Sequence, residues 1–153
     1  NAMQRRDQTQ DDDYGMMNTE TIYPKVKTII ADVLVIEEDE ITPNSRLIQD
    51  LGAESIDFLD LIFQLEKTFQ IKIPRGQIEK NARGNLSEAE FAKNGELTPQ
   101  GLAALKQYLS EIPMENFKSP MKLSDIPTLF TVETFCKLIV AAKQEQLANM
   151  SVA

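Results

Sequence analysis

Ser55 follows the turn-forming run Asp50-Leu51-Gly52-Ala53-Glu54 and opens the apolar-rich stretch Ile56 to Phe69. A hydroxyl in that place is suited to esterification. The first N–H groups of a helix have no intrahelical partners and carry the positive end of its dipole, so a phosphodiester attached at Ser55 meets hydrogen-bond donors and a favourable field. A nucleophilic hydrolase lacks a mechanism here: the chain has no histidine, and no other base is evident to activate the serine. The pattern is that of a modification site, not of an active site.

The helix that presents Ser55 has an unusually wide apolar arc. At about 100° per residue, Phe58, Leu61, Ile62, Leu65 and Phe69 share one side, while Ile56, Leu59 and Phe63 form a second group displaced past the serine. A helix in a small bundle buries one stripe, so the second group must pack on another part of the chain or on a partner protein. Both remain open at this stage. Upstream, Val26, Ile29, Ile30, Val33 and Leu34 follow a helical period and predict a first helix from Thr21 to Ile36, with Thr21 as its cap and Pro24 in its first turn.

Further along, Ser87-Glu88-Ala89-Glu90 is a capping box, predicting a short helix to Lys93 that Asn94-Gly95 ends. Thr98-Pro99 predicts another start, with Leu102, Leu105, Leu109 and Ile112 on one face of a helix from Pro99 to Ile112. Pro113, Pro120 and Pro127 then punctuate a loop-rich return. Thr131 caps a last helix that turns Val132, Phe135, Cys136, Ile139 and Val140 inward.

The stretches Thr21 to Ile30, Ile41-Thr42-Pro43-Asn44-Ser45 and Asp50 to Pro74 resemble the acyl carrier protein family. The resemblance covers residues 20–74 and, less closely, 124–145. It implies an all-α fold: a four-helix carrier-protein bundle, residues 19–153, with an inserted helical segment at about 75–123 between the second and last helices. It further implies that Ser55 carries 4′-phosphopantetheine, with Asp50, Leu51, Gly52, Glu54 and Asp57 shaping the attachment site. By the same likeness Ile56, Leu59 and Phe63, ringed by Glu54, Asp57, Asp60 and Glu66, dock partner enzymes, and Phe58 and Ile62 line an acyl pocket. The implied partners are a phosphopantetheinyl transferase and acyl-loading and acyl-transfer enzymes with basic docking patches. The implied role is that of a carrier, with no enzymatic activity of its own, in a specialised fatty-acyl or lipid pathway. The family's glycine after the leucine that closes the first helix is absent; Leu34 is followed by Val35 and Ile36.

Two other readings share some of these features. An aminoacyl or polyketide carrier would have the same serine and helix, and a non-modified interaction protein could keep the fold without the chemistry. Asp50, Gly52 and Ser55 together argue against the latter, since folding alone does not require that group.

Composition narrows the setting. With 16 basic and 24 acidic residues the formal charge is -8, which disfavours nucleic acid and anionic membrane surfaces and favours basic protein patches. No apolar run approaches the roughly 18 residues of a membrane span, and a cytoplasmic protein is expected; the likeness to carrier proteins implies a monomer, with a dimer left open by the surplus apolar surface. The single cysteine, Cys136, reads as a buried small hydrophobe, and no metal site is expected. Glu37-Glu38-Asp39-Glu40 lacks the alternating ligands and central glycine of a calcium loop. Asn1-Ala2 before Met3 reads as a tag remnant, and Gln4 to Asn18 as a polar extension.

Overall fold

The computed structural model describes residues 18–74 and 76–152. The tag remnant, the extension up to residue 17 and Arg75 lie outside the described residues. Six α-helices carry the architecture: α1 (Thr19–Leu34), α2 (Ser55–Phe69), α3 (Gln77–Arg83), α4 (Glu88–Phe91), α5 (Pro99–Tyr108) and α6 (Val132–Val152). Short 3-10 turns at Glu38–Glu40, Met114–Asn116 and Leu123–Leu129 connect them, and the all-α expectation is borne out.

α1 begins two residues earlier than its periodicity predicts, because Asn18 is the cap. Its side chain accepts from the Thr21 N–H at 3.0 Å, and Thr21 Oγ1 accepts from the Asn18 N–H at 3.1 Å. Thr21 therefore closes a reciprocal capping box instead of opening the helix. Pro24 accordingly sits inside the helix, beyond the first turn, where its missing N–H costs a bond near the end only. Val35 stops α1 by turning left-handed at φ 56°, and Gln70 stops α2 in the same way at φ 55°. In both, two successive N–H groups converge on one carbonyl of the last turn, Ala31 and Glu66 respectively.

The buried faces of α1, α2 and α6 make one core, in which Val26, Ile30, Leu61, Leu65, Phe135 and Ile139 are sealed from solvent. Thr68 lines a cleft with Thr21 and Pro24, so α1 runs antiparallel to α2. α6 runs with α2. Its start is tied to the loop ahead of α2 by the Leu47 N–H donating to the Phe130 carbonyl, and farther along Lys143 Nζ donates to the Phe69 carbonyl at 3.1 Å. That buried ammonium meets the negative end of the α2 dipole.

Residues 76–123 pack on the outer side of α6. The α4 capping box forms as predicted, with Ser87 and Glu90 exchanging bonds, but α4 ends at Phe91. Asn94 and Gly95 turn a two-stranded antiparallel ribbon, Ala92–Lys93 against Glu96–Leu97, with both central residues at positive φ as a type I′ turn requires. Gly101 is dictated by contact. A Cβ there would lie 1.9 Å from the Phe91 carbonyl oxygen, the same atom that accepts from the Thr98 N–H. α5 stops at Tyr108, four residues short of the predicted end, while Leu105, Leu109 and Ile112 are buried as expected. α6 continues well past its inward-facing residues to Val152, its start capped as expected by Thr131, which exchanges bonds with Thr134.

A polar seam holds this segment to α6. Lys137 Nζ donates to Glu111 Oε1 at 2.7 Å and to the Tyr108 carbonyl at 2.9 Å, and Thr134 Oγ1 donates to Glu111 Oε2 at 2.7 Å. Asn81 Nδ2 donates to the Tyr108 hydroxyl at 3.0 Å, joining α3 to α5.

Candidate functional site

The loop before α2 is built by its own backbone and one carboxylate. Asp50 Oδ2 accepts from the Arg46 N–H at 2.8 Å, while the Asp50 and Leu51 N–H groups donate back to the Arg46 carbonyl. Gly52 turns the chain at φ 76°, a region that costs other residues strain. The Ala53 N–H then donates to the Leu47 carbonyl at 2.8 Å, burying the Ala53 methyl and aiming the chain into the helix.

Glu54 is the cap residue, and its own N–H is taken by Asp57 Oδ2 at 2.8 Å. Ser55 is the first residue of α2 and is exposed. Its hydroxyl therefore lies at the positive end of a 15-residue helix, open to an approaching macromolecule. That is a surface to which a phosphodiester can be joined without displacing any buried group. Asp50 and Asp57 hold backbone N–H groups, Leu51 is half-buried, and Glu54 is exposed.

Beyond the serine, Ile56, Leu59 and Phe63 project from α2 at 65%, 59% and 60% exposure. Residues 76–123 do not cover them. Asp60 is exposed beside this stripe, whereas Glu66 is turned to other use: its Oε2 accepts from the Ile73 N–H at 2.7 Å and fixes the exit from α2. Phe58 faces the interior, its ring 6.1 Å from Phe130 and 6.0 Å from Phe135, and Ile62 is half-buried one turn on. A cleft of about 230 Å³ opens elsewhere, between α3 and α6, lined in part by Ile73, Gln77, Asn81, Leu138 and Gln146.

Two groups with other chemical potential are spoken for. Burial first, and then the Glu133 carboxylate, push the Cys136 thiol up to about 12, leaving it an inert core residue. At Glu37–Glu40 the Glu40 carboxylate accepts from the Glu37 N–H, and no cluster of three or more metal-ligating side chains occurs among the described residues. Nor, among them, is any helix long and apolar enough to cross a membrane.

Comparison with known proteins converges on the same stretch. The sequence model of the family described as "Phosphopantetheine attachment site" matches residues 24–83, so most of residues 76–123 lie past its end. An acyl carrier protein of Thermotoga maritima is 40% identical over 65 residues, which are 42% of this chain and 80% of that protein. The acyl carrier protein AcpXL of Mesorhizobium japonicum is 52% identical over 54 residues, 35% of this chain and 58% of the relative. AcpXL of Brucella melitensis is 51% identical over 55 residues, 36% and 59% respectively, so the chain spans under two thirds of either AcpXL.

Proposed function

Because the chain belongs to the acyl carrier protein family, whose cofactor is 4′-phosphopantetheine, we propose that Ser55 is the residue to which the group is esterified. The observation that carries this reading is the exposed hydroxyl at the first position of α2, behind a loop braced by Asp50, Gly52 and Ala53. The residues present fit the group. The helix terminus favours its phosphate, Asp57 is occupied with the Glu54 N–H, and nothing buried must move to admit it. When bound, the group supplies a thiol that holds acyl chains as thioesters.

The protein's own residues recognise and present. Glu54, Asp57 and Asp60 place negative charge around Ser55 and steer encounter with basic enzymes, while Ile56, Leu59 and Phe63 supply the apolar contact that holds a transient complex. The exposure of that stripe favours docking over burial beneath the added segment. The partners are a phosphopantetheinyl transferase and acyl-handling enzymes, met in the cytoplasm, and the carrier catalyses nothing itself. Two relatives named AcpXL and the added segment at 76–123 support a specialised acyl pathway over a general one.

The test is modification in vitro with coenzyme A and a phosphopantetheinyl transferase, followed by intact mass. One equivalent should be gained, with the rate lowered about ten-fold or more by the double substitution Leu59→Ser, Phe63→Ser at unchanged thermal stability. No mass gain would overturn the attachment reading, and an unaltered rate would overturn the docking assignment.

A further inference from the structure

Resting on the attachment reading and extending it, we infer that Glu54 leaves the start of α2 uncapped, so that first-turn N–H groups are free for the phosphodiester on Ser55, which then completes the helix. The side chains that cap α1, α4, α5 and α6 follow a rule that α2 breaks. Asn18, Ser87, Thr98 and Thr131 each accept from the N–H three residues on, at 3.0, 3.1, 2.9 and 3.1 Å. Glu54 has the same extended backbone, at φ -109° and ψ 171°, yet its carboxylate accepts no N–H of the first turn. Glutamate lies outside the set of residues that cap well, one methylene longer than the aspartate that does. The Asp57 and Phe58 N–H groups fall back on the Glu54 carbonyl, at 2.9 and 3.3 Å. The Ser55 and Ile56 N–H groups have no acceptor among the described residues.

The gap lies beneath the serine. In a helix the Cα–Cβ bond leans toward the N-terminus, so Ser55, as the first residue, carries its hydroxyl out over the helix end. The Ser55 and Ile56 N–H groups can therefore donate to phosphate oxygens attached there, and the dipole favours the added charge. Two carboxylates stand close by. Asp57 Oδ2 is held by the Glu54 N–H at 2.8 Å, and the exposed Glu54 side chain is free to turn to solvent. The unmodified helix start is thus incomplete, and modification anchors it. Enzymes that use the modified carrier meet a firmer first turn than the transferase does. A residue at position 54 that capped the turn by itself would remove that difference, because a turn already anchored has little left to gain.

The experiment compares unmodified and fully modified forms of the full-length protein, Glu54→Ser and Glu54→Gln, by thermal melting and by the water exchange of the Ile56 amide in NMR spectra. Intact mass separates the two readings: no conversion speaks against the attachment site, and only converted protein reports on the cap. Modification should raise the melting temperature of the unaltered protein by about 2–4 °C and slow exchange at Ile56 about five-fold. Glu54→Ser should raise the melting temperature of the unmodified form by a similar amount and cut the gain on modification to less than half. Glu54→Gln removes the charge without supplying a cap, so it should keep the full gain. No gain in the unaltered protein, an equal gain in Glu54→Ser, or loss of the gain in Glu54→Gln would overturn the proposal.

Discussion

Cys136 is sealed in the core and Ser55 is open to solvent, so the two reactive side chains should behave oppositely. The thiol should resist alkylation in the folded protein and react at once in denaturant, as mass after brief iodoacetamide treatment would report. Its proton also makes stability depend on pH. Burial raises the folded value from 9.0 to about 12, so below pH 9 both states keep the proton and the full stability is present. Between pH 9 and about 12 the unfolded chain releases it while the folded chain does not, and stability falls by up to about 1.4 kcal/mol per pH unit. Urea melts across that window should show a shallower alkaline decline for Cys136→Ala than for the unaltered protein; parallel declines would contradict the burial argument. The inertness of this cysteine was legible from its place in a helical apolar stripe. So was the serine, because glycine, acidic cap and apolar helix all lie within a few residues of it. Glu66 was legible only as a charge, since its bond to the Ile73 N–H depends on the path of the chain after α2.

Helix bodies followed from periodicity and the starts of α4, α5 and α6 from their cap residues Ser87, Thr98 and Thr131, whereas the start of α1 and the helix stops did not. Val35 and Gln70 take the left-handed conformation usually left to glycine, so neither stop carries its usual signal in the sequence. The start of α1 was missed because Asn18 reads as one more polar residue of the extension, although its bond to Thr21 is what satisfies the helix. Asn94-Gly95 signals a tight turn in any setting, but flanks of two residues each give no alternating pattern from which to predict a ribbon. Val35 yields a prediction at this scale. It is β-branched, 87% exposed and held at φ 56°, so Val35→Gly should relieve more strain than it adds in chain entropy and stabilise the protein by about 1 kcal/mol in denaturant melts. Destabilisation would mean that the left-handed turn is not strained.

Across the whole molecule, residues 76–123 lie against α6 and leave Ile56, Leu59 and Phe63 of α2 exposed, so the segment does not obstruct the face proposed for docking. Sequence alone could not choose between burial and exposure for Ile56, Leu59 and Phe63, because that depends on which side of the bundle the added segment packs. The seam through Glu111, Thr134 and Lys137 settles the side. Lys137→Met would leave the Glu111 carboxylate, 12% exposed, without its cation and should cost about 2 kcal/mol, lowering the melting temperature by roughly 4–8 °C. An unchanged melting temperature would show that the seam does not hold the segment. Trypsin locates the proposed ester at Ser55 directly. Cleavage after Arg46 and Lys67 releases residues 47–67, a peptide in which Ser55 is the sole hydroxyl-bearing residue. After treatment with coenzyme A and a phosphopantetheinyl transferase, this peptide should carry the added mass and shed pantetheine on fragmentation, and the Ser55→Ala protein should show neither. Added mass on any other peptide, or a peptide 47–67 that stays unmodified while a control carrier is converted, would contradict the account.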